Sequence, residues 1–104
     1  MDISGNIYQE GSGLATTIRV FDNSWSFVQS TTSSSDGSYS ITDLTDGETY
    51  YVQYMNTNSY KDIVFVFSHS GSTTQDVNFT GSYTPPYGLE VNFFHNSRNI
   101  SWKD

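Results

Sequence analysis

Two Asp-Gly pairs in one short stretch constrain the fold of this chain more than any other feature. They are Asp36-Gly37 and Asp46-Gly47, and each is followed by apolar or aromatic residues that alternate with others, as in Tyr50–Tyr54. Asp and Gly tolerate the positive φ angles of tight turns, and alternation is typical of strands with one buried face. The stretch from Ser33 to Tyr54 therefore predicts antiparallel strands joined by turns.

Further strand signals follow one another along the chain, and none has the period of a helix. The predicted strands, which include the two after the Asp-Gly pairs, are Ile3–Tyr8, Thr16–Asp22, Trp25–Thr32, Gly37–Thr42, Glu48–Met55, Ile63–Phe67 and Gln75–Thr80. The strand Ile63–Phe67 is continuously apolar, so we expect it to be covered on both faces. Residues 11–13 and 69–74 are rich in Ser and Gly and are predicted to be loops. Seven short strands at this spacing predict an antiparallel β-sandwich.

Aromatic residues are the ambiguous feature, because they occupy both alternating sets of the strand Glu48–Met55. Whichever set faces the core, a tyrosine is left on the other face. Trp25, beside a turn, and Trp102, near the end of the chain, are further candidates for exposure. Exposed Tyr and Trp suit a protein contact or stacking on sugar rings, whereas buried ones belong to the core. The sequence leaves these alternatives open.

The succession of strand patterns is interrupted after residue 80, which predicts a sandwich domain over residues 1–80. Residues 81–88 contain both prolines of the chain and are predicted to be a Pro/Gly linker. Residues 89–104 predict a C-terminal β-hairpin extension. Because an isolated hairpin is marginal in water, it must dock on this domain, pair with another chain, or open a further domain of a longer protein.

The charge balance argues against nucleic acid as a partner. The chain has 11 acidic and 4 basic residues and a net charge of −7, which leaves too few cations to follow a phosphate backbone. The absence of cysteine excludes disulfides and thiolate metal sites. No apolar run approaches the ~20 residues of a membrane span. We therefore expect neither nucleic acid nor a membrane as a partner.

The side chains that could support catalysis or bind a metal are scattered. His69 and His95 lie in separate predicted loops, where we expect them to be solvated, and no Gly-x-Ser-x-Gly motif is present. Asp36, Asp43 and Asp46 have two interpretations, as calcium ligands at one end of the sandwich or as turn residues. The turn role is favoured. The sequence therefore predicts no enzyme, no metal and no cofactor.

The strands and turns resemble, in order, those of the carboxypeptidase-regulatory-like or transthyretin-like sandwich family, which includes the Cna-type B repeats of surface proteins. The matching elements are Ile3–Ile7, Thr17–Asp22, Thr31–Tyr39 and Leu44–Val52, so the resemblance covers residues 3–55. It implies a seven-stranded antiparallel Ig-like (prealbumin-like) β-sandwich.

A narrower resemblance is to the variant of this module in structural proteins of tailed bacteriophages. It rests on Arg19–Asp22, Thr32–Tyr39, Tyr50–Val52 and Tyr60–Val64. The resemblance implies a non-enzymatic structural module of the virion, either a capsid decoration or cement protein or a tail-associated protein. Its partners would be neighbouring capsid or tail subunits, or another copy of itself.

The C-terminal extension is the predicted attachment segment, because it combines strand pairing with aromatic burial. The predicted partner-binding residues are Tyr83, Tyr87, Phe93, Phe94 and Trp102. The alternative hypothesis is a carbohydrate-binding or adhesive module of a secreted or surface bacterial protein. It would lie outside the cell or on its surface, bind a host-surface glycan, and present exposed rings with polar side chains around them.

Overall fold

The chain forms two β-sheets that enclose one apolar core. A computed structural model describes residues 1–58 and 60–80 and the backbone of two C-terminal strands. The described strands are β1 (Asp2–Gln9), β2 (Ser12–Gly13), β3 (Thr17–Asp22), β4 (Phe27–Thr32), β5 (Ser38–Ile41), β6 (Tyr50–Tyr54), β7 (Ile63–Phe67), β8 (Ser72–Thr74), β9 (Val77–Phe79), β10 (Val91–His95) and β11 (Arg98–Trp102). The all-β, sandwich-like fold predicted from the sequence is confirmed. A search of the described residues for a helix able to cross a membrane finds none.

The first sheet is built around β1. On one side β1 pairs antiparallel with β5 and, at its end, with β2. On the other side it pairs parallel with β8 and then with β9. One long strand therefore supports four short ones, which are drawn from both halves of the chain.

The second sheet has the strand order β11-β10-β7-β6-β3-β4. Its neighbouring strands pair antiparallel, except that β10 runs parallel to β7. The predicted hairpin thus extends this sheet through the backbone of β10. Residues 81–90, which include the predicted linker, lie outside the described residues.

The core lies between the sheets and receives alternate residues from each strand, as the period of two requires. In β6 the inward set is Tyr50, Val52 and Tyr54, whereas Tyr51 and Gln53 point outward. The buried cluster consists of Met1, Ile3, Ile7, Ile18, Val20, Tyr39, Ile41, Leu44, Tyr50, Val52, Tyr54, Phe67, Val77 and Phe79. Burying a side chain of this size stabilises the fold by about 1.5–3 kcal/mol.

The sandwich contains nine described strands, β1 to β9, rather than the seven predicted, although every predicted strand is present. The antiparallel pairing predicted within Ser33–Tyr54 was wrong, because β5 pairs with β1 in the first sheet and β6 pairs with β3 and β7 in the second. The prediction of loops at residues 11–13 and 69–74 was wrong, because these segments contain β2 and β8. Both strands are short and built from Ser, Thr and Gly, and they form because β1 supplies their hydrogen-bonding partners. The apolar strand β7 is buried on both faces as predicted, at Val64 and Phe67.

Buried hydroxyl groups connect the two sheets. The Tyr39 hydroxyl donates to the backbone carbonyl of Gln75 at 2.5 Å and lies 2.8 Å from the Tyr54 hydroxyl. The Gln75 carbonyl can only accept, so it takes the single hydroxyl proton of Tyr39. Tyr54 must therefore be the donor in its bond to Tyr39. Burial raises the pKa of Tyr39 to about 12 and raises the pKa of Tyr54 well above its ordinary value. β5, β6 and the β8–β9 connection are thereby tied together.

The two tyrosines should differ in their contribution to stability. Tyr39→Phe leaves the Gln75 carbonyl and the Tyr54 hydroxyl both unpartnered and should cost about 2–3 kcal/mol, whereas Tyr54→Phe removes one bond and should cost about 1 kcal/mol. Urea unfolding of both variants measures this difference. Equal costs, or a larger cost for Tyr54→Phe, would contradict the assigned direction of donation.

The same network predicts a loss of stability in alkali. Tyrosine in the unfolded chain ionises near pH 10, whereas Tyr39 in the fold keeps its proton until about pH 12. Between these values the unfolded state binds fewer protons, so this group lowers the free energy of unfolding by up to about 1.4 kcal/mol per pH unit. Tyr39→Phe should reduce that slope, as measured by urea unfolding at a series of pH values.

Candidate functional site

The turn between β3 and β4 holds a tryptophan in a conformation that glycine usually adopts. The Trp25 amide donates to the Asp22 carbonyl at 2.9 Å, and the Asp22 amide donates to the Ser26 carbonyl at 2.9 Å. The Asp22 carboxylate accepts from the amides of Ser24 and Ser26 at 2.9 and 3.0 Å. This is a type I turn followed by a left-handed residue, and Trp25 has φ 63°. The turn thus fixes the backbone from which the indole projects.

The indole lies flat on a tyrosine of the neighbouring strand β6. The ring centroids of Trp25 and Tyr51 are 4.2 Å apart and the rings are inclined by 7°. Phe21 contacts Trp25 at 5.7 Å and meets Phe27 edge-on at 6.1 Å. Strand register explains the grouping, because Phe21 pairs with both Phe27 and Tyr51 on the outer face of the second sheet. We call these four residues the aromatic patch.

The aromatic patch contains most of the exposed large apolar side chains in the described residues. Those side chains are Trp25, Phe27 and Val28, which are 48%, 59% and 41% exposed. All three fall within one segment of four residues. Single exposed apolar side chains are ordinary, but a contiguous group on an otherwise polar surface marks a contact site.

Polar side chains border the patch along the same face. The Arg19 guanidinium donates from Nε and Nη2 to Gln53 Oε1 at 3.1 and 2.9 Å, and it lies 5.6 Å from the centroid of the Phe21 ring. Gln53 Nε2 donates in turn to Asp62 Oδ2 at 2.8 Å. The site therefore offers ring faces together with a fixed row of donors and acceptors, which are means of binding.

Sequence reasoning found part of this site. Trp25 was a candidate for exposure and is exposed, and one tyrosine of β6 faces outward as expected, namely Tyr51. Phe21 and Phe27 were not recognised as contact residues. The alternation of Phe21 with the core residue Val20 was the available signal, because it puts Phe21 on the outer face.

The predicted partner-binding residues belong to the part of the chain that is not described in full. Tyr83 and Tyr87 lie outside the described residues. Phe93, Phe94 and Trp102 lie in β10 and β11, for which the backbone alone is described. Their role in binding stays a prediction.

The three aspartates named as alternative calcium ligands have separate partners. Asp36 accepts from the amide and hydroxyl of Ser38, which lower its pKa, and Asp43 accepts from the Thr42 hydroxyl. Asp46 pairs with the Met1 ammonium group at 2.7 Å, which lowers the pKa of Asp46. Among residues 1–58 and 60–80, no three metal-binding side chains come together.

The expectation that His69 is solvated was right only in part, because the residue is half-buried. Its ring packs against Phe67 at 6.1 Å, and its Nε2 is buried without a hydrogen-bond partner among the described residues. The loop is tied to the Asp46-Gly47 turn, because the Gly47 amide donates to the His69 carbonyl at 2.9 Å. His95 is the last residue of β10 rather than part of a loop.

Comparison with known proteins gives a likeness at the level of fold. No protein family model and no curated protein matches the chain. A solved structure that does match is a DUF3823 family protein from Bacteroides ovatus ATCC 8483, with a TM-score of 0.55 and 17% identity. The match covers 75% of this chain but 44% of that chain, so this chain spans less than half the length of that protein. Both chains share the sandwich-like architecture.

Substitutions at Trp25 should separate backbone strain from ring stacking. Trp25→Gly loses the stacking on Tyr51, worth about 0.5–1.5 kcal/mol, but relieves the left-handed strain, so its stability should stay within about 1 kcal/mol of the parent. Trp25→Ala loses the stacking and keeps the strain, so it should be about 1 kcal/mol less stable than Trp25→Gly. Urea unfolding of the pair provides the test, and a more stable alanine variant would contradict it.

Proposed function

We propose that this chain is a non-enzymatic binding module that attaches to a neighbouring protein through the aromatic patch. The observation that carries this proposal is the concentration of exposed large apolar side chains on the β3–β4 hairpin, at Trp25, Phe27 and Val28. A hairpin that needed to be stable and nothing more would have glycine at position 25 and polar residues on its outer face. Strained residues that persist in a fold are commonly found at functional sites.

The geometry of the patch suits recognition of a protein surface. Trp, Tyr and Arg are the residue types that most often dominate interface energies. Tyr51 holds the Trp25 ring in place before binding, so little side-chain entropy is lost when the ring is buried. The row of Arg19, Gln53 and Asp62 provides a polar border whose hydrogen bonds already exist in the free chain.

We propose that this attachment takes place in the virion of a tailed bacteriophage. The support for it is the sequence resemblance over Arg19–Asp22, Thr32–Tyr39, Tyr50–Val52 and Tyr60–Val64. The partner would be a capsid or tail subunit, or another copy of the chain. A repeated lattice would add avidity, since many weak contacts act together.

Two finer points belong to the same proposal. The sandwich is assigned to the transthyretin-like, Ig-like type on the resemblance of residues 3–55. The C-terminal extension is assigned a second contact with the virion, through Tyr83, Tyr87, Phe93, Phe94 and Trp102. The aromatic patch and the extension would then hold the module to its neighbours at two places.

A carbohydrate-binding or adhesive module is the alternative, and one observation favours it. Trp25 is 48% exposed and is held parallel to Tyr51, and an exposed indole held in this way suits stacking on a sugar ring. Arg19, Gln53 and Asp62 lie on the same face and would supply hydrogen bonds to hydroxyl groups. In a module of this kind Trp25 carries the binding and Phe27 contributes little.

A cosedimentation experiment tests the attachment. Phage particles assembled without the chain should bind the purified parent and the control variant Thr45→Ala/Glu48→Ala, whose two substituted residues are exposed on another turn. The double variant Trp25→Gly/Phe27→Ser should remain folded and lose at least about tenfold in affinity, the equivalent of about 1.4 kcal/mol. Full binding by the folded double variant would exclude the patch as the contact.

Two further observations decide the setting. The coding sequence should lie among genes for capsid or tail proteins, and a location elsewhere would contradict the virion role. Titration with soluble oligosaccharides, followed by tryptophan fluorescence, examines the alternative. Saturable binding that is lost in Trp25→Gly and kept in Phe27→Ser would favour the carbohydrate module over the protein contact.

A further inference from the structure

The sandwich is open along one side, where an edge of each sheet lies unpaired among the described residues. β4 is the terminal strand of the second sheet and pairs with β3. β5, the next strand along the chain, belongs to the first sheet and pairs with β1. An edge strand directs alternate backbone N–H and C=O groups away from its sheet, ready to pair with another chain.

A groove lies between these two edges. Its volume is about 410 Å³, and it is lined by Thr31, Thr32, Ser34, Ser38 and Ser40, and by Tyr39, whose hydroxyl is bonded in the core. None of these side chains is charged at neutral pH. The groove therefore suits small, uncharged side chains that can exchange hydrogen bonds with hydroxyl groups.

β4 lacks most of the features that protect natural edge strands. Lysine, proline and inward-pointing charge commonly block such edges, and none of them occurs from Phe27 to Thr32. Its one irregularity is the register shift near Phe27. The remaining residues, Gln29–Thr32, pair in regular register with β3 and present a straight edge of four residues.

Acidic side chains lie beyond both ends of the groove. Gln29 Nε2 donates to the Thr42 carbonyl at 2.8 Å, which puts the neighbouring Asp43 at one end. At the other end the Ser34 amide donates to the Ser38 carbonyl at 2.9 Å, and Ser38 is bonded to Asp36. The whole chain is also acidic, so charge complementarity favours a partner with basic residues beyond an uncharged centre.

We infer that β4 accepts an extended segment of a partner protein by strand addition. The segment has Ser, Thr or other small residues at its centre, and alternate side chains enter the groove. Lys or Arg at its two ends faces Asp43 and Asp36. This contact goes beyond the aromatic patch, because it uses the backbone of β4 and the groove rather than the outer face of the sheet.

A labelled peptide, Lys-Ser-Thr-Val-Thr-Ser-Lys, tests the inference by fluorescence anisotropy with the full chain. It should bind, and the same peptide with Glu at both ends should bind at least about tenfold more weakly. N-methylation of one alternating set of peptide amides should abolish binding, whereas methylation of the other set should leave affinity within about twofold, because one side of a strand pairs. Absence of binding, or equal effects of the two methylated sets, would overturn the inference.

An exposed threonine of β4 and an exposed threonine outside the groove supply a matched pair of variants. Thr31 pairs with the core residue Ile18 and points inward, whereas Thr32 pairs with Thr17 and points outward. Thr32→Lys puts a charge on the exposed edge of β4 and should abolish peptide binding, whereas Thr57→Lys, in an exposed loop outside the groove, should leave it within about twofold. Equal affinities for the two variants would overturn the inference.

Two further measurements distinguish peptide binding at the β4 edge from binding at the aromatic patch and from pairing between copies of the chain. The variant Trp25→Gly/Phe27→Ser should bind the peptide like the parent, so a failure of the aromatic patch and a failure of the β4 edge can be told apart. The β4 amides that point away from β3 should exchange fast in the free chain and slowly with the peptide. Slow exchange of these outward-facing amides in the free monomer, or pairing of copies through β4 in sedimentation, would overturn the inference, because another occupant would then cover the edge.

Discussion

The carbonyl of Gln75 occupies the space that a side chain at position 5 would fill. A Cβ on Gly5 would collide with that carbonyl, and the Gln75 amide donates to the Ser4 carbonyl at 2.7 Å. The chain can therefore bend away between β8 and β9 while both strands still pair with β1. The same carbonyl accepts from Tyr39, which in turn accepts from Tyr54 across the core. One close approach, permitted by one glycine, thus sets the register of the first sheet and its connection to the second.

The two faces of the second sheet have different tasks. β6 supplies Tyr50, Val52 and Tyr54 to the core and Tyr51 to the outer face. Because the inward residues fix the position of β6 and β3, the outer residues are held at defined separations without contributing much to stability. Binding can then depend on Trp25 and Tyr51 while folding depends on their inward neighbours. The strained backbone at Trp25 is tolerated because the turn bonds of Asp22 hold it.

The sequence allowed most strand limits to be predicted, because alternation and Asp-Gly turns are local signals. It did not allow the pairing within Ser33–Tyr54 to be predicted, since β5 and β6 belong to different sheets. It did not reveal β2 and β8, since neither segment has alternating apolar residues. β8 also depends on pairing with the beginning of β1, which is far away in the chain. The inward set of β6 was also undecided, because tyrosines stand in both sets. The partial burial of His69 was not predicted, because the packing of its ring on Phe67 and the bond from Gly47 to its carbonyl are contacts that no local pattern indicates.

The aromatic patch was predictable in part, for a physical reason. Exposure of Trp25 follows from its place beside a turn, but its stacking on Tyr51 requires the register between β3 and β6. That register brings together residues more than twenty positions apart in the chain. The unpaired edge of β4 could not be predicted either, because it arises from the pairing of β5 in the other sheet.

Photocrosslinking from the patch in the native assembly tests the central claim most directly. A benzophenone side chain replaces Phe27 in one variant and Glu48, an exposed residue on another turn, in a second. The account predicts that position 27 forms a crosslink of defined mass to a capsid or tail subunit, at a yield well above that of position 48. Equal yields from the two positions, or a crosslink from position 48 alone, would contradict it.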